Sequence, residues 1–185
     1  YPMVMAALKA GKHVICEKPL AMNAKEGAKM IAAAKAARKK LLIGLNMRTG
    51  AAFRAVEKAM KDGKLGRVFM AKISYLGHEL DRMLDPKNWK CSKDKAGGGV
   101  LLDGGYHVID IMNMLMGEPQ KVHAITNKCV VKLANKAEDN AILLIEYPRD
   151  VIGEVTASFT IKNQCSKQEP TLKLRLEVYG TEGSA

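Results

Sequence analysis

The sequence predicts an α/β chain in two parts, a parallel, doubly wound segment followed by an α+β region whose sheet is mainly antiparallel. Two observations carry this expectation. Strand and helix patterns alternate as far as about Asn46, which is the grammar of a parallel sheet with crossover helices. After Gly117, four strand patterns follow one another with no helix between them, and strands joined so directly pair antiparallel. At 185 residues the chain can fill one domain, or one domain and part of another, and bury a sizeable core.

The elements follow in order. Met3 to Ala10 is alanine-rich and helical, stopped at Gly11 as by a C-cap, and His13 to Cys16 reads as a short buried strand. Asn23 caps a second helix that runs through Lys40, with Ala28, Ile31, Ala32 and Ala36 as its small-residue face. Leu41 to Leu45 is a strand closed by Gly44 and Asn46. From Thr49 the pattern changes to a helix over Ala51 to Lys61, a turn at Asp62-Gly63 and a strand over Arg67 to Leu76. Asp85 to Trp89 is irregular. Gly97-Gly98-Gly99 opens an apolar helix to about Met116, which Gly117-Glu118-Pro119 stops. Strands are then expected over Lys121 to Thr126, Asn140 to Glu146, Val151 to Thr160 and Thr171 to Tyr179.

Composition narrows the function classes. Hydrophobic residues make up 48% and charged residues 26%, ordinary globular usage, and no apolar run approaches the roughly 20 residues that span a bilayer, so a soluble chain without a membrane partner is expected. The start at Tyr1, without a methionine or a secretory signal, reads as a cut from something longer. Cys16, Cys91, Cys129 and Cys165 are far apart and form no C-x-x-C pair, which argues against a zinc site or disulfide framework and fits a cytoplasmic location. The formal charge of +11 attracts anions generally. Many of the lysines sit on helical surfaces, among them Lys25, Lys29, Lys35, Lys58 and Lys61, and with 5% aromatic residues stacking platforms are scarce. No nucleic-acid partner is expected.

The helix after the triple glycine holds the residues best suited to chemistry. Asp103, His107 and Asp110 fall at i, i+4 and i+7, a polar stripe on an otherwise apolar helix. Imidazole titrates near neutral pH and a carboxylate one turn away can orient it, so an acid/base pair is one reading. A buried histidine merely satisfied by a neighbouring carboxylate has the same spacing. The glycines would allow close backbone approach and expose amides at a helix N-terminus. Glu17-Lys18-Pro19 sits at a strand end, where ligands bind in open α/β sheets, and Lys18 there could polarise a substrate oxygen or simply be a surface lysine. Pro19 could hold a cis turn. G-x-G-x-x-G, the P-loop pattern, G-x-S-x-G and H-E-x-x-H are all absent from these residues, and no metal site is expected. His13, His78 and His123 read as structural.

Taken together, Ala7-Leu8-Lys9-Ala10-Gly11-Lys12-His13-Val14 leading into Cys16-Glu17-Lys18-Pro19-Leu20, and then Gly97-Gly98-Gly99-Val100-Leu101-Leu102-Asp103-Gly104-Gly105-Tyr106-His107-Val108-Ile109-Asp110, resemble the Gfo/Idh/MocA oxidoreductases. Gly44-Leu45-Asn46-Met47-Arg48, Asn88-Trp89-Lys90 and Gly180-Thr181-Glu182-Gly183 extend the match. The resemblance implies that residues 1–46 are the C-terminal half of a Rossmann domain, its glycine-rich turn lying before residue 1. Residues 47–185 would be most of an α+β substrate domain with an open sheet that often mediates homo-oligomers. It implies hydride transfer between NAD or NADP and a sugar, polyol or related carbinol. Lys18 would lie between nicotinamide and substrate, Asp103 would hold substrate, and His107 would act as acid/base. Glu17, Lys18, Pro19, Asn46, Arg48 and Trp89 would contact cofactor. Two departures stand out: Lys90 replaces a common arginine, removing a bidentate fork, and Tyr106 replaces a smaller residue beside the pocket. Alone, the chain is expected to be weak or inactive; a non-catalytic sugar-binding or oligomerisation module is the other reading.

Overall fold

The computed structural model of the chain describes residues 1–79, 85, 87–91, 93–128, 137–161 and 172–185. Pro2, which costs nothing in a first turn, opens helix α1 (Pro2–Lys9), and Gly11 leaves it with a φ of 70° to enter strand β1 (Val14–Cys16). Helix α2 (Ala24–Ala36) begins where Asn23 Oδ1 accepts the Glu26 amide at 2.9 Å. It stops short of the expected Lys40: Arg38 turns left-handed at a φ of 53°, and the Lys40 carbonyl meets the Val14 amide at 2.8 Å. The Lys40 amide donates to His13 Nδ1 at 3.0 Å. The expected small-residue face of α2 is also corrected. Its buried stripe is Gly27, Met30 and Ala34, while Ile31 is 59% exposed, because Met30 packs with Val4 and Leu8 in a small separate core. Strand β2 (Leu41–Ile43) pairs with β1 in the expected parallel sense, Val14 opposite Leu41.

A 3₁₀ turn over Asn46–Thr49 leads to helix α3 (Ala51–Lys61), whose Phe53, Val56 and Met60 rest on the main core. Strand β3 (Val68–Gly77) follows, then a 3₁₀ turn at Trp89–Cys91, the short helix α4 (Lys93–Ala96) and helix α5 (Gly105–Met116). The last strands are β4 (Lys121–Asn127), β5 (Asn140–Tyr147), β6 (Val151–Ser158) and β7 (Leu172–Gly180). Among the described residues they form a five-stranded sheet in the order β4-β5-β6-β3-β7, antiparallel at every pair except β3 with β6. Strand β6 ends before the expected Thr160, whose amide is taken at 3.0 Å by Ser158 Oγ. Thr171, Pro86, Cys129 and Cys165, named above, lie outside the described residues.

Period-two patterning decides which sheet face is covered. Along β5, Ala141, Leu143, Ile145 and Tyr147 are buried beneath α5, against Val108, Ile111 and Met112. The alternate Ile142 and Leu144, with Ile152 of β6, are 47%, 49% and 57% exposed, so the opposite face is open. Helix α5 starts at Gly105, not at Gly97 as expected, since Gly97 has a φ of 84° and residues 100–104 form turns. Gly104 lies so close to β3 that a Cβ there would run into the Tyr75 ring. No helix among the described residues is long and apolar enough to cross a membrane.

Candidate active site

Strand β1 delivers Glu17-Lys18-Pro19 at its carboxyl end, with the Lys18-Pro19 peptide cis. The turns ahead of α5 bring Asp103 to the same place from 85 residues away. Lys18 Nζ donates to Asp103 Oδ1 at 2.7 Å and to the Asp103 carbonyl at 3.0 Å. Lys90 arrives on its 3₁₀ turn and its Nζ bridges both Asp103 oxygens, at 2.8 and 2.7 Å. The contact to both oxygens thus survives the loss of an arginine fork, through one ammonium that straddles the carboxylate. All three side chains are largely covered, at 18%, 16% and 23% exposure for Lys18, Asp103 and Lys90. Burial alone would raise the Asp103 carboxyl. The hydrogen bonds and charges of Lys18 and Lys90 outweigh it and hold the group below its usual value.

The stripe expected from i, i+4, i+7 spacing is therefore divided. Asp103 precedes the helix and faces two lysines, whereas Asp110, within α5, faces Arg48: Nε and Nη2 reach its two oxygens at 2.6 and 2.5 Å. His107 lies between them on α5, 9% exposed, its Nδ1 buried without a hydrogen-bond partner among the described residues. Burial is the main reason its pKa falls below the ordinary value. The Lys18 charge adds to this, against the opposing pull of Asp103, Asp110 and Glu17. At neutral pH the ring is uncharged and able to take a proton.

A cavity of about 660 Å³ gathers Glu17, Lys18, Asn46, Arg48, Thr49 and His107 on its wall, together with the residues of β2. Pro19, Trp89, Lys90 and Asp103 border a second, much smaller pocket. Trp89 is 51% exposed, with Lys90 Nζ 5.9 Å from its ring centre. Tyr106 lines neither space. Gly99 does not present its amide to a ligand. The Gly99 and Leu101 amides donate to the Glu138 carboxylate and the Val100 amide to the Glu138 carbonyl. Glu138, 39 residues from Gly99, carried no local signal that could have revealed this. Among the described residues, no group of three or more histidine, cysteine, aspartate or glutamate side chains could hold a metal.

The same segments match known families. Residues 53–185 match the model described as the GFO/IDH/MocA C-terminal domain, and residues 1–45 match that of the oxidoreductase family with an NAD-binding Rossmann fold. The chain belongs to the Gfo/Idh/MocA family. The 1,5-anhydro-D-fructose reductase of Ensifer adhaerens is 31% identical over 97% of the chain and 51% of its own length. The myo-inositol 2-dehydrogenase of Thermotoga maritima is 28% identical over 98% of the chain and 51% of its own length. A solved levoglucosan dehydrogenase, in complex with NADH and levoglucosan, superposes with a TM-score of 0.88 at 29% identity, covering 99% of the chain and 49% of that structure. The chain thus spans about half the length of these Gfo/Idh/MocA relatives. The likeness bears out the predicted fold class, part of a Rossmann domain joined to a domain with a mainly antiparallel sheet.

Proposed function

We propose that this chain carries the catalytic residues of an NAD(P)-dependent dehydrogenase acting on the CH–OH groups of sugars or polyols. The observation that carries the reading is the meeting of Lys18, held by Asp103, with a neutral His107 on the wall of one cavity. That wall suits the nicotinamide end of a dinucleotide: it offers two cations, the Asn46 amide and the His107 ring. Glu17, Lys18, Asn46 and Arg48 would hold that end, with Pro19 and Trp89 bordering it. When bound, nicotinamide supplies the site that accepts or gives the hydride. Lys18 directs its charge at the substrate oxygen, and His107 takes the hydroxyl proton as the carbinol becomes a carbonyl. Asp103 keeps Lys18 aimed, and fixes a further substrate oxygen. The sugars and polyols handled by the relatives make that substrate class the natural one for a site with these donors.

Titration of the protein with NADH and NADPH, following nicotinamide fluorescence and thermal stability together, is expected to give saturable binding and a rise in Tm for at least one of them. A cooperative melt that neither nucleotide shifts would reduce the chain to a non-catalytic sugar-binding or oligomerisation module.

The open sheet face, with Ile142, Leu144 and Ile152 exposed, supports a homo-oligomer joined through it. Sedimentation at micromolar concentration is expected to give more than the monomer mass, and a monomer throughout would remove that part of the reading. Cys16 is a free thiol, in keeping with a reducing cytoplasm. Nothing in the site calls for nucleic acid, and DNA binding that persisted at high salt would contradict this.

A further inference from the structure

We infer that Glu138 is a positioning residue, one that holds the turn carrying Asp103, and with it the first turn of α5 carrying His107, in working geometry. The inference rests on the dehydrogenase reading above. Glu138 stands just ahead of β5 and receives three successive amides. Gly99 N–H lies 3.1 and 3.2 Å from its two carboxylate oxygens, Leu101 N–H lies 3.1 Å from Oε1, and Val100 N–H lies 2.9 Å from its backbone carbonyl. The backbones are in direct contact there, since a Cβ on Gly99 would collide with the Glu138 main chain. The secured turn then passes its position on. The Gly99 carbonyl accepts from the Asp103 amide at 3.2 Å, and the Val100 carbonyl accepts from the Gly105 amide, the start of α5, at 2.7 Å.

Amides converging on one point form the kind of concave donor set that binds anions. Here an internal carboxylate fills it, so the turn serves to place side chains. Asp103 is gripped from the opposite side by Lys18 and Lys90, and its carbonyl also accepts from Lys18. Without the Glu138 carboxylate the lysines would still attract Asp103 and the Val100 amide would keep the Glu138 carbonyl, but the Gly99 and Leu101 amides would lose their acceptor and the backbone under Asp103 would shift, and displacements of about 1 Å near a reacting group cost up to about a hundredfold in rate. His107 would share the disturbance, because its amide bonds to the Gly104 carbonyl at 3.2 Å within the same turn.

The test compares Glu138→Ala and Glu138→Gln in the whole protein. Glu138→Ala is expected to lower kcat by about ten- to a hundredfold with the KM for the nicotinamide nucleotide changed less than about threefold. Glu138→Gln, whose amide oxygen can stand in for Oε1, is expected to recover most of the loss. A kcat within about twofold of the parent for Glu138→Ala, a loss no larger than the unfolded fraction, or a glutamine variant no better than alanine would each overturn the assignment. A second readout does not depend on turnover. In NMR titrations of the His107 ring, which Glu17, Lys18, Asp103 and Asp110 face, Glu138→Ala is expected to move the titration upward as burial loosens, and Glu138→Gln to leave it in place. An unmoved titration in the alanine variant overturns the positioning role even if no substrate is ever found. Loss of the dehydrogenase reading would show separately, as a cooperative melt of the parent protein that neither NADH nor NADPH shifts.

Discussion

Replacing His107 by alanine is expected to lower turnover of the whole protein by about a hundred- to ten-thousandfold while leaving a cooperative melt, since proton transfer is lost but the packing of α5 is not. Val108, Ile111 and Met112 of the same helix fill the main core without it. Because burial holds its pKa below 6.5, the imidazole is already neutral at physiological pH, and the acid limb of kcat/KM for carbinol oxidation is expected below pH 6.5. Stability moves with it. Below pH 6.5 an unfolded His107 takes up a proton that the folded one refuses until lower pH, so acidification through that window destabilises the fold, and His107→Ala removes this part of the dependence. Kinetics across pH 5–9, beside thermal melts over the same range, check both statements; a variant with parental turnover would end the acid/base assignment.

Replacing Lys18 by alanine is expected to be nearly as severe, with a turnover loss of about a hundred- to a thousandfold, the usual result of deleting one donor aimed at a developing negative oxygen. Its cost in stability should be small, about 1 kcal/mol, because Lys90 still holds both oxygens of Asp103 and no carboxylate is left unpaired. Arginine should not rescue it, since the guanidinium fork cannot occupy a place where one nitrogen meets both the carboxylate and the carbonyl of Asp103. In the parent, Asp103 is stabilising at any pH above its unfolded value of 3.8, and the contribution fades only as pH falls through the lower folded value. With one lysine gone the carboxyl lies closer to its ordinary range, so Lys18→Ala should lose stability at a higher pH than the parent during acid titration. Single-turnover rates and acid melts of the two proteins decide the matter. Unchanged turnover would make Lys18 a structural partner of Asp103 and nothing more.

Much of this was legible from residue order. Alternation of apolar positions located β5 and β6 to within a residue or two, and Asn23 and Gly11 marked helix ends by local chemistry. The resemblance carried by Glu17-Lys18-Pro19 and by the run from Gly97 to Asp110 pointed to the right family, and Glu17, Lys18 and His107 from those segments line one cavity. Periodicity misled where a side chain or turn answered to a distant partner. It placed Asp103 on the helix with His107, whereas the Glu138 carboxylate and carbonyl take the amides that would have begun that helix. It chose Ile31 for the inner face of α2, where Val4 and Leu8 select Met30.

The division has one physical cause. Helix caps, strand alternation and left-handed glycines are settled by neighbours a few residues apart, and so they belong to the sequence. Which cations face Asp103, which faces Asp110 and what occupies the Gly99 amide are settled by groups 13 to 85 residues away, and only the folded chain brings those groups within hydrogen-bonding range.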